Sequence, residues 1–118
     1  MKILLDESLP RKLKFDFGIE HEVWTVKEKG WLGAKNGVLL ELLENDGFEV
    51  FVTVDQNLQY PQNFKTIRIK IFVLCGKDNK RETLHLLITE IFIQIAEGDL
   101  KTVNEIWKRF FTYNGEIN

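Results

Sequence analysis

The chain has 118 residues, enough for one domain that buries a sizeable core without staples. Hydrophobic residues make up 44% and charged residues 29%, ordinary values for a soluble globular protein, and the net charge of -2 gives no lead for or against a polyanionic partner. Cys75 is the sole cysteine, which rules out an intrachain disulfide and fits a reducing, cytoplasmic setting. Acid follows the opening Ile3-Leu4-Leu5 too soon for a signal peptide, and no apolar run approaches the ~20 residues of a membrane span.

Residues 2 to 6 read as a first strand, apolar in its centre and so covered on both faces. Ser8 is the expected N-cap of a short helix running through Leu13 to about Phe17, with Pro10 in its first turn and Gly18 as its stop. Its outer face carries Arg11, Lys12 and Lys14, a cluster that is more often a solvated face than a ligand site. His21 to Val26 reads as a second strand. Two isolated histidines, His21 and His85, do not make a zinc site, and His85 is expected to be partly buried in an apolar helix.

Residues 30–37 hold three glycines and form a loop. Its spacing is not that of a phosphate-cradling GxxxxGK[ST] loop. Asn36 is placed to cap a helix whose apolar positions are Val38, Leu39, Leu42 and Leu43 and which closes near Asn45-Asp46-Gly47. Phe48 to Val54 is β-branched and aromatic, a buried third strand that runs directly into Asp55-Gln56-Asn57. Gln56 to Lys65 reads as a polar loop, Ile67 to Leu74 as a fourth strand, and Leu84 to Ala96 as an amphipathic helix ended by Gly98. The tail holding Val103, Ile106, Trp107, Phe110 and Phe111 has helical spacing, with an edge strand as the alternative. Strands alternating with helices predict a three-layer α/β/α sandwich with a mainly parallel central sheet.

In such sheets ligand chemistry gathers at the carboxyl ends of the strands. Two strands ending on Asp6-Glu7 and on Asp55 are expected to aim three carboxylates at one small volume. Oxygen ligands without histidine or cysteine suit Mg2+ or Mn2+. Such an ion polarises a phosphodiester oxygen and lowers the pKa of a bound water. The competing reading is that acids after strands are ordinary caps and turn formers.

The stretch from Met1 to Pro10 closely resembles the LLDENLP opening of small PIN-like proteins, in particular the group termed DUF5615, related to the VapC toxin ribonucleases. The resemblance continues through His21-Glu22-Val23, the loop Gly30 to Gly37, Thr53 to Leu58 and Gln62-Asn63, and covers about residues 1 to 80. It implies a single PIN-like domain and Mg2+-dependent endoribonuclease activity on RNA, often alongside a small antitoxin protein. By position it implies Asp6 and Asp55 as metal ligands and catalytic residues, with Glu7 a weaker third. Lys35 and Asn36 would border the site, and Asn57 would support it from behind. On this reading Arg11, Lys12, Lys14 and Lys35 are candidates for substrate phosphate. Val38, Asn36 and Asn57 stand where relatives carry acids, and Glu41, one helical turn beyond Val38, is the candidate substitute. The reduced acidic set implies a feeble nuclease or an inactive relative.

Two other classes stay open. One is a non-catalytic interaction module that uses Trp24, Trp31, Trp107, Phe110 and Phe111 as a patch for a partner or for a second copy in a homodimer. The other is a receiver-type phosphoacceptor, whose acids occupy similar strand ends. Against it, Pro61 lies six residues past Asp55 and no late strand delivers a lysine followed by proline.

Overall fold

A computed structural model of the chain describes residues 1–57 and 68–108, and of Asn36 only the backbone. Five strands form one sheet: β1 (Lys2–Leu5), β2 (Glu22–Thr25), β3 (Val50–Thr53), β4 (Lys70–Cys75) and β5 (Val103–Trp107). They lie in the order β2-β1-β3-β4-β5 and every pair is parallel. The helical elements are a 3-10 helix (Arg11–Phe17), α1 (Val26–Lys29), α2 (Asn36–Asn45) and α3 (Arg81–Glu97).

The period of two along each strand divides the core in half. Ile3, Leu5, Val50, Val52, Phe72 and Leu74 point to one face, where Leu13 and Phe17 of the 3-10 helix meet Leu84, Leu87, Ile88 and Ile91 of α3. Leu4, Phe51, Ile71, Val73 and Cys75 point to the other, under Val26 of α1 and Leu39, Leu40 and Leu43 of α2. Both faces being covered explains why the central strands read as continuous apolar runs rather than as alternation. The three-layer α/β/α arrangement expected from the sequence is the one found, with a sheet that is parallel throughout its described pairs.

The crossovers β1→β2 and β4→β5 advance in opposite directions across the sheet, yet both lay their helix on the same face. They therefore have opposite hands. The β2→β3 crossover, which uses α2 on the other face, shares the hand of β1→β2. The β4-α3-β5 crossover thus departs from the hand shared by the other two. Its consequence is direct contact between α3 and the 3-10 helix, clamped where Arg81 donates from Nε and Nη2 to the two carboxylate oxygens of Asp16, each at 3.0 Å. The guanidinium holds the Asp16 carboxyl below its ordinary range.

Four local expectations change. The helical reading of the tail fails for residues 103–107, which form edge strand β5; its alternative was correct there, while Phe110 and Phe111 lie outside the described residues. Strand β4 is buried along its length, so its second edge needs a hydrogen-bonding partner that a helix cannot supply. Asn104 fixes the start of β5: its buried amide donates to Ile71 O (3.3 Å) and Lys101 O (2.8 Å). The second strand ends at Thr25 rather than Val26, because Thr25 and Glu28 form a capping box that starts α1. Lys35, not Asn36, occupies the N-cap position of α2. His85 is exposed on α3 rather than partly buried. Most of the polar loop expected over Gln56 to Lys65 lies outside the described residues.

Candidate metal and phosphodiester site

Chain leaving β1 turns to β2, on one side, while β3 lies on the other side of β1, so the order reverses between β1 and β3. Their carboxyl ends are where a crevice opens in a doubly wound sheet. Asp6 is fixed there by the ladder itself: its N–H donates to Val52 O at 2.9 Å, one residue past the end of β1. Asp6 Oδ2 accepts two hydroxyl bonds, from Thr53 Oγ1 at 2.9 Å and from Ser8 Oγ at 2.6 Å. Thr53 Oγ1 in turn accepts the Asp55 N–H at 3.1 Å, and Asp55 Oδ1 accepts the Asn57 N–H at 2.9 Å. A fully buried threonine thus ties the two aspartates into one hydrogen-bonded chain across adjacent strands.

Ser8 therefore does not cap the following helix. Pro10 holds that position, with no side-chain cap, and the Ser8 hydroxyl serves Asp6 instead. Glu7 is exposed, and its Oε1 accepts from the N–H of Gly33 in the glycine loop at 3.4 Å. The φ of +81° at Gly33 is a left-handed conformation that suits glycine.

Beside the acids lies a cleft of about 360 Å3 whose walls include Asp6, Glu7, Arg11, Thr25, Lys27 and Leu32. Asp55 is exposed and is not among its lining residues. Among the described residues no three or more His, Cys, Asp or Glu side chains are grouped so as to hold a metal ion. The expected convergence of Asp6, Glu7 and Asp55 on one point is thus not found: Asp6 and Glu7 line the cleft, while Asp55 lies outside it and is tied to Asp6 only through Thr53 and its own backbone N–H.

Of the expected cations, Arg11 and Lys12 are exposed and have no ion-pair partner among the described residues. Lys14 is different: its ammonium lies 2.7 Å from Glu28 and holds that carboxyl below its ordinary range. Lys35 and Glu41 are exposed at the start and on the outside of α2, and no hydrogen bond or ion pair joins either to Asp6 or Asp55. Asn57 supplies a backbone donor to Asp55, and the Asn36 side chain lies outside the description.

Sequence reasoning missed Thr53 and Lys27. A hydroxyl at the end of an apolar strand, two residues before an aspartate, was the available signal for the first. The capping pattern Thr25-x-x-Glu28, which places Lys27 on α1 facing the acid cleft, was the signal for the second.

Of the five aromatics expected of an interaction module, Phe110 and Phe111 lie outside the described residues, and Trp107 does not share a surface with Trp24 and Trp31. Trp24 and Trp31 are half-buried against the α1/α2 face, where the Lys29 ammonium lies 4.9 and 5.3 Å from their ring centres and 2.6 Å from Asp46. Trp107 is exposed at the far edge strand.

The donor set at the strand ends is all oxygen: two carboxylates, with the Thr53 and Ser8 hydroxyls behind Asp6. Oxygen donors of this kind are the chemistry Mg2+ takes, with one or two carboxylates and with water and substrate phosphate in its other positions. No helix among the described residues is long and apolar enough to cross a membrane. Compared with protein-family models, curated proteins and solved structures, the chain matches none.

Proposed function

We propose that the chain is a PIN-like, divalent-metal-dependent endoribonuclease of the toxin type, acting on RNA in the cytoplasm, its activity reduced by a two-carboxylate site. The observation that carries this reading is the Asp6–Thr53–Asp55 hydrogen-bonded chain at the carboxyl ends of β1 and β3, beside a cleft lined by Arg11 and Lys27. When bound, Mg2+ or Mn2+ would neutralise and polarise a phosphodiester oxygen. Asp6 and Asp55 supply the charge that holds the ion. Thr53 and Ser8 fix the direction in which Asp6 presents its remaining oxygen. Arg11 and Lys27 attract the RNA backbone without reading its bases. A small antitoxin and a homodimer belong to the same proposal, as features of the resembled family.

The test is cleavage of a single-stranded RNA with Mn2+, together with Mn2+ affinity by calorimetry. Asp6→Asn and Asp55→Asn should each abolish cleavage and weaken the ion while leaving circular dichroism unchanged. Parental cleavage by the doubly substituted protein refutes the nuclease.

A non-catalytic interaction module is the second reading, and one observation favours it. A cavity of about 570 Å3 lies away from the acids at the ends of β4 and β5, walled by Leu86 and Trp107, which are 53% and 58% exposed. That reading expects a concentration-dependent dimer or complex and no metal-dependent cleavage. A receiver-type phosphoacceptor shares the strand order found here, and a stable acyl-phosphate on Asp55 after incubation with a small phosphodonor would favour it.

A further inference from the structure

Arg11, Thr25 and Lys27 line two clefts at once. One is the acid cleft described above; the other, about 480 Å3, continues away from it along the 3-10 helix and is walled by Lys12, Lys14 and Phe15. The second cleft plays no part in holding the acids. Its one carboxylate, Glu28, is already neutralised by Lys14, so Arg11, Lys12 and Lys27 give it a net positive lining.

Phe15 is the unexplained residue. It is 70% exposed, in a 3-10 helix whose other large apolar side chains, Leu13 and Phe17, are buried in the core. The Lys14 ammonium stands 5.9 Å from its ring centre. No hydrophobic cluster claims the ring. An aromatic face set among cations is the pairing that binds single-stranded nucleic acid, the cations following the phosphates and the ring stacking on a base. A duplex fits such a groove poorly, because its bases are already stacked on one another.

We infer that the Arg11–Phe15–Lys27 groove binds single-stranded RNA, with a base stacked on Phe15 and the neighbouring phosphates on Arg11, Lys12 and Lys27, leading the strand into the acid cleft. This deepens the nuclease reading and rests on it for the choice of RNA as substrate. The shared walls make the path continuous: a strand held on Phe15 passes between Arg11 and Lys27 to reach Asp6.

The experiment is fluorescence anisotropy of a labelled oligouridine in EDTA, where no cleavage interferes, against an RNA duplex of equal length. The single strand should bind tighter than the duplex. Phe15→Ala should weaken single-strand binding about tenfold with no change in salt dependence, and Phe15→Trp should restore it. Arg11→Ala and Lys27→Ala should each lower the slope of log affinity against log salt by about 0.7. Equal binding of strand and duplex, parental affinity in Phe15→Ala, or no binding by the parent protein overturns the groove. The two proposals fail separately. Phe15-dependent binding without cleavage in Mn2+ sinks the nuclease and leaves the groove; cleavage with Phe15-independent binding does the reverse.

Discussion

Replacing Thr53 by valine removes one oxygen and nearly preserves volume, so it isolates the link between the two aspartates. Thr53 is completely buried at the end of β3. Its hydroxyl gives a bond to the Asp6 carboxylate at 2.9 Å and takes one from the Asp55 N–H at 3.1 Å. A bond to a charged acceptor contributes about 1.5–3 kcal/mol and a neutral one about 1 kcal/mol. Exchanging a buried hydroxyl for a methyl returns part of that, leaving a net loss of about 2 kcal/mol. For a domain of this size that lowers Tm by about 8 °C. On the nuclease reading, the Asp6 carboxylate then keeps only the Ser8 hydroxyl as partner, and misplacement of a positioned group costs up to about 100-fold in kcat/KM. Thr53→Ser keeps the hydroxyl and loses only a methyl, about 1 kcal/mol, and should retain cleavage. Thermal unfolding followed by circular dichroism and initial rates of RNA cleavage in Mn2+ read the two effects. If Thr53→Val melts and cleaves like the parent, or if Thr53→Ser is the worse variant, the bridge has no role.

Phe51, 1% exposed on the α2 side of β3, should cost about 3–5 kcal/mol when cut to alanine, seen as a lower urea midpoint. Thr25→Ala removes the capping box of α1 and should cost about 1 kcal/mol, with faster amide exchange at Glu28. The Asp16–Arg81 clamp sets one acid limb of stability. Because Arg81 lowers the folded pKa of Asp16 below the ordinary 3.8, the clamp contributes fully above the ordinary value and is lost as pH falls through the lowered one. Arg81→Met should therefore reduce stability near neutral pH and flatten the decline below about pH 4. An unchanged acid limb in urea titrations would show that the pair is not a determinant.

Residue order alone determined the alternation of strands and helices, the apolar strand centres and the two strands that end on Asp6 and Asp55, because hydrophobic period and strand termination are local properties of the chain. The same reasoning read Ser8 as a cap, overlooked Thr53 and left 103–107 undecided between helix and strand. Each of those depends on a partner distant in sequence: Ser8 on which donor Asp6 needs, Thr53 on which strand lies beside β1, and β5 on the unpaired edge of β4. Lys14 shows the same limit, since it looked as available as Arg11 until Glu28, fourteen residues on, was found beside it. The hand of the β4-α3-β5 crossover, which brings Arg81 to Asp16 across 65 residues of chain, is set by how two faces of one sheet share their helices. Tertiary structure alone decided these, because a hydrogen bond or ion pair is specific to the neighbour it finds, and the neighbours were chosen by packing.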